Sequence, residues 1–545
     1  MSKKPKKEKS EKENFSGQNE EVKENRALVR STGAVAAPTL LSRILGAARD
    51  ILQAKFLGTG TAADAFTLAF IIPNLLRRLT AEGAMTAAFI PVFTSLKKEE
   101  NKQKLWKFAN IFFFDLTLLM TGIMVAGILL SPLLVQVTAP KFDSVPGKMD
   151  LTIALTRIMF PYIFFISLAA LAMAVLNSFK KFFVPAFTPV LFNLSIITLA
   201  LIFAGNMEEP AYIFALGVVL GGILQLAFQI PFLWKQGMRF TPGISFSHPA
   251  VRKVGKLMVP GIFGVSIHQI NFLISRVMAT SLEEGSVSSL YYSSRIHELT
   301  LGLFSIALAT ALLPTFSEQA AVKDIPALKR TFEFSMKLII LITMPAMVGL
   351  LVLNKPIIQV VFQYGQFDIQ STAMTSLCLF YFAFSLPFIS GIKVLAPAFY
   401  SFKDTKTPVV VAFIAMLIYI SLALILMRPL RVGGIALSLS VSSIINFFLL
   451  FILLEKKIGD LRKKALLSSS VKSIFFSAFM GGAVWVFIRR FELPEYSLFL
   501  RVTILLLAIL IGLCIYFAGH SFFNRSELNM VRQLFRKKIP KKRLK

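Results

Sequence analysis

The sequence predicts an all-α polytopic membrane protein of about 14 transmembrane helices, arranged as two six-helix lobes related by a parallel repeat, plus two C-terminal helices. Composition is the first observation: of 545 residues, 55% are hydrophobic and 16% charged, with a mean hydropathy of +0.69. A water-soluble fold cannot hide that much apolar surface. The second is that apolar runs of about 20 residues recur along nearly the whole chain, each long enough to cross roughly 30 Å of hydrocarbon as a helix. This excludes a soluble domain on a single anchor. The third is self-similarity. An offset of about 223 residues aligns Pro91-Val92-Phe93 with Pro314-Thr315-Phe316, and Ser178-Phe179-Lys180 and Pro185 with Ser401-Phe402-Lys403 and Pro408. An even number of helices separates the copies, so corresponding helices share an orientation and the repeat is parallel. Transporters built this way place their substrate site between the halves.

Taken in order, residues 1–28 mix charges with almost no apolar content and precede a long helix, not a short apolar core with a cleavage site. They read as a disordered cytoplasmic tail and not a signal peptide. Helices are expected near 31–57, 64–94, 108–132, 151–178, 184–204 and 211–234 in an N-lobe of 29–236. A C-lobe of 237–456 holds those near 250–280, 286–317, 330–353, 370–400, 407–427 and 432–454. Two extra helices, near 471–488 and 498–520, fill 457–522 and fall outside the repeat, and 523–545 is a basic cytoplasmic tail. Pro73 should kink the second helix by removing one backbone hydrogen bond.

The formal charge of +30 sits mostly in tails and short connections, as an orientation signal rather than a nucleic-acid footprint. SLKKEENKQKLWK, SFKK, WKQGMR, SFKDTK and EKKIGDLRKK fall on one face; GNMEEPA and TSLEEGS, with Glu208, Glu209, Glu283 and Glu284, fall on the other. Two outer connections, carrying Arg428, Arg431, Arg489 and Arg490, break the pattern. The bias puts both termini on the cytoplasmic side of the bacterial inner membrane, with an even helix count.

The informative residues are ionisable groups within the first, second and eighth helices: Arg43, Arg49, Asp50, Asp64, Arg77, Arg78, Glu82, Arg295 and Glu298. Each costs at least about 2.5 kcal/mol at the centre of a lipid-facing helix, so each should face water or another charge. Arg78 with Glu82, and Arg295 with Glu298, are spaced to meet on one helix face, and Arg43 and Asp50 also share a face. The bland reading is of internal ion pairs or snorkelling arginines. Five arginines against four acids leave the set net positive. Arginine grips phosphate oxygens through two parallel hydrogen bonds, which makes a diphosphate the natural anion.

Other polar residues read as structural. Lys393 and Arg276 lie near helix ends and are expected to snorkel. His268 and His297 read as hydrogen-bonded packing residues, and Cys378 and Cys514, far apart in apolar segments, as packing residues. No GxxxxGK[ST] run occurs, no stretch is long enough for an ATPase domain, and no nucleophile is paired with a base. Neither cofactor, ATP nor metal is expected; energy must come from an ion gradient, the membrane potential or substrate turnover.

Against this background, Ser42-Arg43-Ile44-Leu45-Gly46-Ala47-Ala48-Arg49-Asp50, Ala63-Asp64-Ala65-Phe66, Pro73-Asn74-Leu75-Leu76-Arg77-Arg78 and Glu82-Gly83-Ala84 resemble the N-terminal signature of the lipid II flippase MurJ (MviN) family. Gly285-Ser286-Val287-Ser288 through Tyr291-Tyr292 to Arg295, Phe362-Gln363-Tyr364-Gly365 and Lys393-Val394-Leu395-Ala396-Pro397 extend the likeness. The resemblance implies a multidrug/oligosaccharidyl-lipid/polysaccharide exporter fold whose lobes open alternately inward and outward. It also implies a substrate, undecaprenyl diphosphate carrying the peptidoglycan disaccharide-pentapeptide. Arg43, Arg49, Asp64, Arg77 and Arg295 match functionally important cavity positions of that family, with Ser42, Asn74, Glu82, Ser288 and Glu298 nearby. The two extra helices would form a groove for the lipid tail. The charged N-terminal extension departs from the family pattern, and no acidic residue occurs in the seventh, eleventh or twelfth helices as drawn, which argues against a carboxylate-bound cation in the second half.

The expected mechanism has Arg43, Arg49 and Arg295 clamping the diphosphate, assisted by Arg77, Arg78, Ser42, Asn74 and Ser288. Asp50, Asp64, Glu82 and Glu298 position the arginines or gate the lobes. The chain would act as a monomer among membrane lipids, in association with cell-wall synthesis enzymes. Rival readings are a flippase for another polyprenyl-diphosphate-linked glycan, a cation-coupled drug exporter, whose site should be acidic, and a membrane scaffold.

Overall fold

The computed structural model describes residues 35–77, 85–99 and 101–523. The charged tails, Arg78, Glu82 and the side chain of His268 lie outside the described residues. Every regular element among the described residues is helical: α1 over 35–57, α2 Thr61–Arg77, α3 Thr86–Lys98, α4 Lys102–Leu129, α5 Ser131–Thr138, α6 Lys148–Met159, α7 Pro161–Ser178, α8 Phe183–Phe203 and α9 Ala211–Gln236. The series continues with α10 Pro249–Ala279, α11 Ser286–Ala321, α12 Ile325–Phe362, α13 Ile369–Ala383, α14 Leu386–Ser401, α15 Lys406–Ile458, α16 Lys463–Ile488 and α17 Leu498–Phe523. Eight spans among the described residues are long and apolar enough to cross a membrane, or nine if the bent α13–α14 pair counts as one. The chain is therefore a multi-pass membrane protein built from helices.

Several expected spans are interrupted, each for a local reason. The run expected at 151–178 breaks between Met159 and Pro161, because a proline supplies no N–H and its ring clashes with the preceding turn. The run at 370–400 bends by 44° between α13 and α14, where Pro387 occupies the first turn of the second piece. The two helices expected at 407–427 and 432–454 are both present as the two arms of α15, which meet at a non-helical kink at Arg431 (φ 48°, ψ −132°) two residues after Pro429. Of the helix expected at 64–94, the described parts are α2 to Arg77 and α3 from Thr86.

Contacts divide the chain into two compact units. The first holds the described parts of Met1–Gln53, Ala69–Gln136 and Met149–Gln269; the second holds Ala54–Leu68, Val137–Lys148 and the described part of Ile270–Lys545. In the first unit Gly217 and Gly221 lie on one face of α9, where an added Cβ would stand 2.9 Å from the Ile196 backbone and 2.7 Å from Ser195 Oγ. Small residues four apart let α8 and α9 approach closely, as in apolar bundles generally. Phe89 sits among Phe93, Phe108 and Phe112, whose ring centres lie 5.1–5.5 Å from its own, and so joins α3 to α4.

In the second unit Phe316, Phe332, Met336, Leu395, Phe399, Leu450 and Leu454 fill a core between α11, α12, α14 and the second arm of α15. The C-terminal pair α16–α17 packs on α12 through Leu341, Met480, Val484 and Tyr516, and the Tyr516 hydroxyl donates to Leu341 O at 2.9 Å. Phe475, Phe479 and Phe499, on the same pair, stay exposed at 64%, 69% and 78%.

The repeated Ser-Phe-Lys triplets adopt the same turn in both copies. Lys180 and Lys403 each sit at φ 58°. Lys181 N donates to Leu176 O (3.0 Å) and Lys180 N to Asn177 O (2.9 Å); Asp404 N donates to Phe399 O (3.1 Å) and Lys403 N to Tyr400 O (2.9 Å). These are the six-to-one and five-to-two bonds that satisfy the last carbonyls of a helix, here with lysine where glycine is usual.

Connections that the charge pattern assigns to one face also meet. In the second unit Arg431 pairs with Glu283, Lys141 Nζ donates to Ser281 O at 3.0 Å, and Gln366 N donates to Lys55 O at 2.9 Å. Arg431, a basic residue that breaks the charge pattern, is thus matched with the carboxylate of Glu283.

Candidate functional site

In the first unit the site is built on α1 and α8. Arg49 donates to Asp50 Oδ1 from Nη2 (2.7 Å) and Nε (3.1 Å), and from Nη1 to Asn193 Oδ1 (3.1 Å). Its guanidinium lies 5.9 Å from the Phe192 ring centre. Asn193 Nδ2 donates back to Ser42 O (3.0 Å) and Ser42 Oγ (3.3 Å). One buried amide therefore ties two turns of α1 to α8 and aims Arg49. Neighbours on a helix point apart, so the Arg49–Asp50 bond needs both side chains to swing together. Arg43 is exposed. At the end of α2, Arg77 Nε donates to Asn74 Oδ1 at 3.0 Å. Asn193 was not singled out from the sequence, although a lone amide in the apolar run LFNLS is the kind of signal that marks a buried polar contact.

In the second unit the buried Asp64 carboxylate takes four donors. Oδ1 accepts from Ser288 N (2.9 Å) and Ser288 Oγ (2.7 Å); Oδ2 accepts from Lys148 Nζ (2.9 Å) and Gly285 N (2.8 Å). Asp64 and Lys148 are 1% and 2% exposed, so this is a desolvated ion pair with both oxygens satisfied. The cause is local. The residue before α11 is Gly285 at φ 88°, which has no side chain to cap the helix. Asp64 supplies the missing oxygen from α2, at the positive end of α11. A Cβ on Gly285 would stand 2.5 Å from Thr59 O, which fixes glycine there. Asp64 and Ser288, expected near arginines, thus meet each other, and Asp64 also pairs with Lys148. Lys148 went unmarked because it stands at a connection, where a lysine reads as solvated.

About two turns beyond Ser288 on α11, Arg295 Nη1 bonds Glu298 Oε2 at 3.1 Å, as the spacing predicts. Its guanidinium stacks 4.7 Å from the Tyr291 ring centre, and Nη2 donates to the Tyr291 hydroxyl at 3.4 Å. Arg276 does not snorkel: it is 1% exposed, lies 4.7 Å from the Phe272 ring centre and donates to Ser294 Oγ at 3.1 Å. Its place on α10, facing α11, buries it where the sequence placed it near an interface. His297 is buried, with Nε2 in hydrogen-bond contact with Ser385 Oγ at 3.0 Å. Cys378 is buried and Cys514 exposed. No group of three or more metal-ligating side chains occurs among the described residues.

Chemically the arrangement presents guanidinium groups oriented by amide, phenol and carboxylate partners on apolar helices, which suits oxyanion recognition. The family model described as lipid II flippase MurJ matches residues 53–507. A Vibrio cholerae protein described as a probable lipid II flippase MurJ is 38% identical over 438 residues, covering 79% of this chain and 83% of that protein. A Burkholderia cenocepacia lipid II flippase MurJ is 36% identical over 79% of this chain and 84% of its own length. Among solved structures, a lipid II flippase MurJ in an inward closed conformation superposes with a TM-score of 0.77 at 27% identity, over 91% of this chain and 99% of that one. An inward-facing multidrug transporter of the MATE family and MOP superfamily shares the fold at a TM-score of 0.65 and 13% identity, over 79% of this chain and 98% of its own. On the family match and these identities, the chain belongs to the lipid II flippase MurJ family.

Proposed function

We propose that this chain moves lipid II, the polyprenyl-diphosphate-linked precursor of peptidoglycan, from the inner to the outer leaflet of the bacterial cytoplasmic membrane by alternating access. Membership of the family, at 38% identity to a relative named for that substrate, carries the reading. The oriented arginines support it. Arg43, Arg49 and Arg295 grip the diphosphate, with Arg77 and Arg78 adding positive charge. Asn193 and Tyr291 hold Arg49 and Arg295 in place before substrate arrives, so less side-chain entropy is lost on binding. The polyprenyl tail stays in lipid, and the exposed apolar surface of α16–α17 suits contact with it.

The protein is a carrier, not an enzyme, works without ATP, metal or other cofactor, and acts as a monomer with both termini cytoplasmic. An anion crossing the membrane makes the step sensitive to membrane potential, at about 2.3 kcal/mol per unit charge per 100 mV. Depletion of the protein in growing cells tests the reading. Lipid II should accumulate on the cytoplasmic face while peptidoglycan synthesis stops. Unchanged lipid II with altered surface polysaccharide would assign the chain to another polyprenyl-linked glycan and overturn the proposal.

A further inference from the structure

The start of α10 carries a second cluster of cations, apart from the intramembrane arginines. Ser247, Pro249, Arg252, Lys253, Lys256 and Leu257 line an open pocket of about 520 Å³. No acidic residue occurs between Gly237 and Lys256, so nothing along this stretch neutralises the three charges. The pocket is framed by a fixed backbone. Asp115 Oδ1 accepts from Ser245 N at 2.8 Å, and Asn110 Oδ1 accepts from Thr241 N at 3.4 Å, which holds the 237–248 segment against α4. His248 stacks on Phe108 of α4 with ring centres 6.0 Å apart. That contact brings the start of α4, with exposed Lys102, Lys104 and Lys107, beside the start of α10.

The surface next to the charges is apolar. Ile244, Phe246, Leu257 and Val259 are exposed at 60%, 49%, 47% and 54%. Lysines and an arginine beside exposed aliphatic and aromatic side chains are the signature of a surface seated at the boundary of headgroups and acyl chains. Phosphate is the anion of that zone, and each basic residue near an anionic bilayer surface contributes attraction. We propose that this pocket binds the phosphodiester headgroup of an anionic glycerophospholipid, with Arg252, Lys253 and Lys256 on the phosphate and Leu257 and Val259 against the acyl chains. A glycan-bearing diphosphate fits less well: among the lining residues only Ser247 offers a neutral polar side chain for sugar hydroxyls. The site is independent of the substrate reading above.

The test is native mass spectrometry of the purified full-length protein in detergent, titrated separately with phosphatidylglycerol, phosphatidylethanolamine and undecaprenyl diphosphate. Arg252→Gln/Lys253→Gln/Lys256→Gln should bind phosphatidylglycerol less tightly, by about fivefold for each charge removed, and phosphatidylethanolamine as before. Lys256→Gln alone should show a single step of that loss, and serves where the triple variant folds poorly. Unchanged phosphatidylglycerol binding in a folded variant, or equal loss of the zwitterionic lipid, would overturn the proposal. So would a loss confined to undecaprenyl diphosphate, which would make the pocket a docking point for the polyprenyl substrate.

Discussion

Replacing Asp64 by Asn keeps the shape of the side chain and inverts half its chemistry. Oδ1 can still accept from Ser288 N and Oγ, but the new NH2 faces two other donors, Lys148 Nζ and Gly285 N, at positions now 2.9 and 2.8 Å away. The buried Lys148 ammonium loses the Asp64 carboxylate, and the first turn of α11 loses half of its cap. Breaking one partner of a buried ion pair costs about 3–5 kcal/mol, and the lost cap is part of that cost. Lys148→Met should cost less, about 2–3 kcal/mol, because three donors remain on the carboxylate. The double variant, with no buried charge, should be more stable than the sum of the singles by at least about 2 kcal/mol. Cys378, fully buried, reports unfolding through its reactivity with a thiol-specific dye in a Cys514→Ser background, since Cys514 is exposed. Losses that add within about 0.5 kcal/mol would refute the pairing, as would a neutral Lys148→Met.

Four further outcomes follow from the same geometry. Gly285→Ala places a Cβ 2.5 Å from Thr59 O at φ 88° and should lower stability by about 1–3 kcal/mol in the same assay, whereas Ser286→Ala, whose buried hydroxyl lacks a partner, should change it little. Arg295→Lys keeps the charge but loses the stack on Tyr291 and the planar fork, so lipid II translocation should fall at least about tenfold at normal protein level. Asn193→Ala removes the tie to α8 from Arg49 and from the Ser42 turn, leaving Arg49 on Asp50, and should lower stability by about 1–3 kcal/mol and translocation with it. Asp404 is held below the usual carboxylate range by the Lys457 ammonium and then by the Thr407 backbone N–H. A depressed carboxyl contributes stability above its unfolded value, near 4, and that contribution is lost as pH falls through its folded value. Unfolding midpoints followed from pH 7 to pH 3 should drop less in Asp404→Asn than in the parent, by an amount near the ~0.2–1 kcal/mol of an exposed pair.

Helices were legible because hydropathy and charge bias are local properties of the chain, and the repeated Ser-Phe-Lys triplet even marks two identical turns. Breaks were less so. Pro161 and Pro387 stand inside runs whose hydropathy never falls, and a proline near a helix start is as compatible with continuity as with a new first turn. The Arg295–Glu298 pair followed from spacing on one helix. Asp64 was visible as a costly charge, but its partners Lys148 and Ser288 come from 84 and 224 residues away, and no periodicity links them. Asn193, 144 residues from Arg49, escaped for the same reason, and Arg276 because distance from a helix end does not tell which face is covered.

The central claim, that oriented arginines carry a lipid diphosphate across the membrane, is tested most directly by lipid II translocation in cells whose only copy of the protein bears Ala at Arg43, Arg49 and Arg295 together. The readout is the fraction of lipid II open to a membrane-impermeant label on the outer face, at matched membrane levels of parent and variant. The account predicts that this fraction collapses in the variant while total lipid II rises. Outer-face lipid II at the parental level would contradict it.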